Sequence, residues 1–230
     1  LDTTQGGYAH RQLFELVQNS ADALLPASKG RSILVRLTKR YFYCADDGDP
    51  IDKEGLEGLM FDRMSNKRNS AVIGRFGRGF KSVLRVTDAP EFFSRLGSFR
   101  FDKAHASRQI GNIAPSQNYP VLRLPYPIDP YLAKEEDEEL QELMTWATNI
   151  VRLPLSMEEA YEELAQQIRS FPPEFLLFAD HVRYLTLEDE DYSRSLMLRH
   201  LEDELVLDAG EETSNWRVFR EGVARTKKWQ

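Results

Sequence analysis

Residues 32–39 alternate between apolar and polar side chains, with Ile33, Val35 and Leu37 on one face. A second β-prone run, residues 41–45, follows after Arg40 alone. Parallel neighbours need a crossover of about a dozen residues or more, whereas antiparallel strands can be joined by a tight turn. The two runs are therefore expected to form a hairpin. Ahead of them, residues 8–25 carry Leu13, Leu16, Val17 and Leu24 at helical spacing, and Pro26 and Gly30 end that helix. Helices and strands then mix without a strict β-α-β alternation. This order points to an α+β fold, a sheet with helices on one face.

After the hairpin, residues 46–50 are turn-rich, and Asp52 is placed to cap a short helix reaching Met60. Residues 62–70 are polar, basic and aperiodic, which reads as a loop. A glycine-punctuated segment, residues 74–79, opens a helix expected to run to about Val86. Strands are expected at 91–94, 98–102, 148–153, 182–187 and 196–199. Residues 103–130 look loop-like, with prolines at 115, 120, 125, 127 and 130. An acidic helix is expected over 134–146, another helix from Ser156, and a short apolar helix after Pro172 and Pro173.

Three patches carry chemistry. In the first, a turn of about 100° per residue puts Glu15, Asn19 and Asp22 within about 60° of one another, opposite the leucines. A solvated face of an amphipathic helix explains this pattern. So does a carboxylate and a carboxamide held one turn apart to orient a water and ligate Mg²⁺, with Asp22 holding the geometry. The second patch is Asp46-Asp-Gly48-Asp-Pro50 at the end of an apolar strand. It reads as a turn, or as a buried carboxylate that needs a partner, such as the amino group of a base, with Gly48 allowing close backbone approach. The third is Ile73-Gly74-Arg-Phe-Gly77-Arg-Gly79-Phe80-Lys81-Ser82. Glycines just before a helix expose N–H groups to an anion, and Lys81 and the arginines add positive charge. A flexible loop feeding a core helix is the plainer reading. A P-loop is excluded because Phe80 separates Gly79 from Lys81 and no proper strand precedes the loop. A Rossmann loop fails on glycine order.

The order and spacing of these patches resemble the N, G1 and G2 boxes of the GHKL ATPases, the group of DNA gyrase, the ninety-kilodalton heat-shock chaperone, histidine kinases and mismatch-repair ATPases. The stretch from Tyr8 through Arg11, Gln12 and Glu15 to Asn19 is most similar to the amino-terminal domain of sacsin and its bacterial relatives. So are Ser65-Asn-Lys67-Arg68 and Ala147-Thr148-Asn-Ile-Val-Arg-Leu. The resemblance covers residues 8–188. It implies a Bergerat two-layer α/β sandwich with a mixed, mostly antiparallel sheet, helices on one face, and an ATP lid, residues 53–78, between the second and third motifs. It further implies Glu15 as general base, Asn19 on Mg²⁺ beside Asp22, and Asp46 reading the adenine amino group. Gly48 would lie beneath the base and Thr148 would help through a water. Gly74, Gly77, Gly79 and Phe80 would hold the phosphates, with Lys81 assisting. Three positions depart from the pattern. Pro50 stands at the motif's second glycine, Ala147 at the glycine before the late threonine, and Gly58 or Leu59 near an asparagine of the chaperone.

The expectation is Mg²⁺-dependent ATP binding with slow hydrolysis, driving lid closure and conformational switching in a larger multidomain protein. The alternative is a nucleotide-binding interaction module with negligible turnover. Residues 1–190 would form the ATP-binding domain and 191–230 the start of a transducer-like segment, the first residues reading as a cut inside a longer protein. Expected partners are ATP and ADP and further domains of the same chain, with a homodimer left open. A histidine kinase needs a phosphoacceptor domain for which His10, five residues before Glu15, leaves no room. The net charge of −7 argues against a nucleic-acid surface. No apolar run approaches the roughly 20 residues needed to span a bilayer. The single cysteine, Cys44, makes a reducing, cytoplasmic setting the simpler assumption. The scattered histidines and Cys44 lack metal-ligand spacing. The acidic run at 135–142 reads as a solvated helix face or a docking surface.

Overall fold

A computed structural model of the chain describes residues 11–25, 29–60, 80–111, 121–202, 204–210 and 212–217. In chain order the elements are α1 (Gln12–Leu24), β1 (Ser32–Leu37), β2 (Tyr41–Asp46), α2 (Lys53–Met60), a 3-10 turn (Phe80–Arg85), β3 (Glu91–Ser94), β4 (Gly97–Arg100) and α3 (Lys103–Ile110). They continue with a second 3-10 turn (Val121–Arg123), β5 (Tyr126–Pro127), α4 (Pro130–Glu135), α5 (Glu138–Trp146), β6 (Asn149–Pro154), α6 (Glu158–Arg169) and α7 (Phe175–Phe178). Four strands close the series: β7 (Tyr184–Glu188), β8 (Ser193–His200), β9 (Leu205–Asp208) and β10 (Thr213–Trp216).

All ten strands form one sheet in the order β10-β9-β8-β7-β1-β2-β6-β3-β4-β5. β1 and β2 are the expected hairpin, closed by Thr38 N–H on the Tyr41 carbonyl at 2.8 Å. β1 pairs with β7 in parallel, and the other described pairs are antiparallel. The α+β expectation and the mixed, mostly antiparallel sheet therefore hold. Residues from Ser193 onward, expected to open a following segment, add β8, β9 and β10 to this same sheet, and Leu196, Leu198 and Leu207 enter the main core.

The helices are not confined to one face. Successive side chains of a strand point to opposite sides, and on β2 they meet two different cores. Phe42 and Cys44 join the core built with Leu13, Leu16 and Val17 of α1, Leu164 and Ile168 of α6, and Leu176 of α7. Tyr43 and Ala45 join a smaller core with Phe93, Ile150, and Leu140 and Leu143 of α5. Each leucine sealed in either core contributes roughly 1.5–3 kcal/mol over its exposed state.

Local capping explains where the sequence reading and the structure part. Residues 103–130, expected as loop, contain α3, whose start is fixed by Asp102 Oδ1 accepting from the His105 N–H at 2.8 Å. The expected acidic helix over 134–146 is split in two. Asp129 caps α4 through the Tyr131 N–H at 2.8 Å with Pro130 at the first position, and Asp137 caps α5 through the Leu140 N–H at 3.0 Å. Nor is the acidic run wholly solvated: Glu139 and Glu142 of α5 pair with Arg36 of β1.

Candidate functional site

α1 supplies the first layer of the site. Its leucines seal the core, as their spacing predicts, yet its opposite stripe is not left to water. Asn19 and Asp22 are each 8% exposed, and Glu15 is half-buried. Burial without a partner costs a polar group roughly 1–3 kcal/mol, so such a stripe must be satisfied somehow. Asn19 is not satisfied from within: its Nδ2 has no hydrogen-bond partner.

The turn after β2 docks on the last turn of this helix. The Asp49 N–H donates to the Ala23 carbonyl at 3.0 Å. A Cβ on Gly48 would stand 2.7 Å from that same carbonyl oxygen, so only glycine lets the turn approach the helix this closely. Gly48 thereby admits the backbone of α1. First and second patches meet at this contact.

Asp46 ends β2, 3% exposed, on the α1 side of the sheet. Its Oδ1 accepts from the Gly48 N–H at 3.0 Å and from Asn149 Nδ2 at 2.8 Å. Burial pushes its carboxyl up to about 7. The bonds from Asn149, Gly48 and Ser20 hold it lower than burial alone would, and neighbouring Asp47 raises it further. Near neutral pH the group is therefore poised between its charged and neutral forms.

The strand beside β2 brings a residue that the sequence reading gave no role. β6 pairs antiparallel with β2 so that Asn149 faces Asp46. Thr148, the expected helper, gives its N–H to the Asp46 carbonyl at 2.7 Å, but its side chain lines a cleft with Phe93, Ala147 and Ile150. The side chain that reaches Asp46 is that of Asn149. Its Nδ2 also donates to the Asp49 carbonyl at 2.8 Å, while its Oδ1 accepts from the Ile51 N–H and from Ser94 Oγ, both at 3.0 Å. One carboxamide thereby binds β2, its turn and β3 together. The available signal was parity: Asn149 shares the side of Val151 and Leu153, and Thr148 does not.

Of the third patch, Gly74, Gly77 and Gly79 lie outside the described residues, as does most of the expected lid. Phe80 is 1% exposed and packs 5.0 Å, ring to ring, from Phe92, so its side chain belongs to the core and any anion contact falls to backbone. The segment it opens, expected as a helix to Val86, is a 3-10 turn packed against α1. Lys81 is exposed, and Ser82 Oγ is buried without a partner. Among the described residues, the buried side-chain donors left unpaired are those of Asn19 and Ser82, both within the patches singled out from the sequence.

Among the described residues no three His, Cys, Asp or Glu side chains group as a metal site, and no helix is long and apolar enough to cross a membrane. No family model matches the chain. Over 105 residues, 45% of its length, the chain is 35% identical to Protein NO VEIN of Arabidopsis thaliana, and it spans 4% of that protein.

Proposed function

We propose that this chain binds ATP with Mg²⁺ on the α1 side of its sheet and hydrolyses it slowly, as a Bergerat-type module with an added α4–α5 layer, coupled to conformational switching in a longer protein. The observation that carries this reading is the buried Asn19 side chain, one helical turn from Glu15, whose Nδ2 has no hydrogen-bond partner among the described residues. The turn bearing Asp46 is docked on the same helix. A carboxamide rotated by half a turn presents its oxygen where its nitrogen stood, so Asn19 fits a hard cation that keeps most of its ligands from water and phosphate. The metal would neutralise charge on the phosphates. Glu15 would accept a proton from the attacking water, and Ser82, Lys81 and the glycine segment would face the phosphates. Asp46, held by Asn149, would accept a hydrogen bond from the amino group of the base.

Calorimetric titration of the chain with ATP, with and without Mg²⁺, tests this. Asp46→Asn and Asn19→Ala should each abolish measurable binding, and Glu15→Ala should retain binding while removing turnover. Because the accepting form of Asp46 is the ionised one, affinity should be about tenfold weaker at pH 6 than at pH 8. A folded wild-type chain that binds no ATP, or binds it unchanged in both site variants, would remove the reading.

A further inference from the structure

The face of the sheet that carries α5 holds a cleft of about 320 Å³ where the ends of β3 and β6 meet α4. Its wall mixes the apolar side chains of Phe93, Met144 and Ile150 with polar groups, Ser98 and Thr148 among them. Two cations, Arg95 and Lys134, stand on it. Arg95 is exposed in the β3–β4 turn, whose backbone is fixed by the Arg95 N–H on the Thr148 carbonyl at 3.3 Å. Lys134 lies 4.7 Å from the centre of the Tyr131 ring.

In this acidic chain Arg36, Arg100, Arg152, Arg169 and Arg217 each have a carboxylate partner. Arg95 and Lys134 have none among the described residues, although both line the same cavity. Unpaired cations beside a wall that is about half apolar fit a ligand with a charged end and a partly apolar body. The volume lies at the low end of the roughly 300–1,000 Å³ of small-molecule sites, which suits a single ring or short chain.

We propose that this cleft binds a small organic anion, a carboxylate or a phosphate monoester carried on a partly apolar body. The cleft lies on the opposite face of the sheet from Asp46: Phe93 and Ile150 face it, whereas Ser94 Oγ turns away to Asn149 Oδ1 at 3.0 Å. Backbone amides of residues 93–95 and 147–150 therefore report its occupancy whether or not the chain binds ATP.

The test is an NMR titration of the ¹⁵N-labelled chain with phenyl phosphate, phenylacetate and benzyl alcohol in separate arms. At least one anion should give saturable backbone shifts at residues 93–95 and 147–150. Benzyl alcohol, and either anion with Arg95→Glu or Lys134→Glu, should bind about tenfold more weakly. Response to one anion alone names the headgroup. Shifts that do not saturate, an alcohol that binds as well as the anions, or charge-reversed variants with native spectra and unchanged affinity would each overturn the proposal.

Discussion

Both faces of the sheet bury polar side chains, but they satisfy them differently. On the α5 face, Arg152 is 6% exposed and sits between Glu91 and Asp137 at 2.6 and 2.5 Å, with its guanidinium over the rings of Tyr41 and Phe93. Asp137 also accepts from Tyr43 Oη at 2.9 Å and caps α5, so every member of the group has a partner inside the protein. On the α1 face, Asn19 and Ser82 are left with unpaired donors and Asp46 is held near its point of ionisation. A buried polar network closed on itself fixes one element against another. One left open keeps a standing cost that only something arriving from outside can remove. The α5 group is therefore a clamp, while the α1 group keeps the open donors that the proposed ATP site would use.

Breaking the clamp should have the largest effect. Arg152→Met keeps much of the volume but leaves buried Asp137 without its counter-charge and Glu91 with Arg100 alone, and should cost about 3–5 kcal/mol in urea unfolding. A loss under about 1 kcal/mol would mean the clamp is not closed as described. Asp46 gives the next effect, with an opposite sign on the α1 face. Its folded carboxyl lies above its unfolded value, so between about pH 4 and pH 7 the folded state binds more protons and stability falls as pH rises. Asp46→Asn mimics the neutral form. It should match wild type only below about pH 4, and its advantage should grow by an amount of order 3 kcal/mol between pH 5 and pH 8, read from unfolding curves at the two pH values. Equal stability at both would show that Asp46 is not buried as charge. Gly48→Ala should cost about 1–3 kcal/mol, because the new methyl must push the turn away from the Ala23 carbonyl.

What the sequence made legible follows the same division. The hairpin, its register end at Asp46, the helix spacing of α1 and the short helix after Pro172 were all readable, because local periodicity and turn chemistry decide them. The helix of α5 was readable too, but its break from α4 was not, since the polar residues at 129 and 137 act as caps only once their backbone N–H partners are known. Arg152, Glu91 and Asp137 are far apart in the chain, and charge in a strand carries no mark of its distant counter-charge. The role beside Asp46 was expected of Thr148, and the side chain that reaches Asp46 is that of its neighbour Asn149. That difference is small in sequence, but it moves a side chain to the other face of a sheet. On the helix, the same letters that suggested a ligand suited a solvated stripe, and the burial of Asn19 and Asp22 counts against the solvated one.

The smallest effect carries the sharpest distinction. Asn19→Leu exchanges a buried, unpaired amide for an apolar side chain of similar size with a better helix propensity. If the Asn19 donor has no partner within the fold, the change removes an uncompensated polar group and should raise stability by about 1 kcal/mol. A loss of similar size would mean that the amide is already satisfied inside the protein, and the contrast between the two faces would disappear. Stabilisation together with loss of ATP binding is the outcome expected of a residue kept for function at a cost to the fold. Arg152→Met should do the reverse, lowering stability while leaving the chemistry of the α1 face in place.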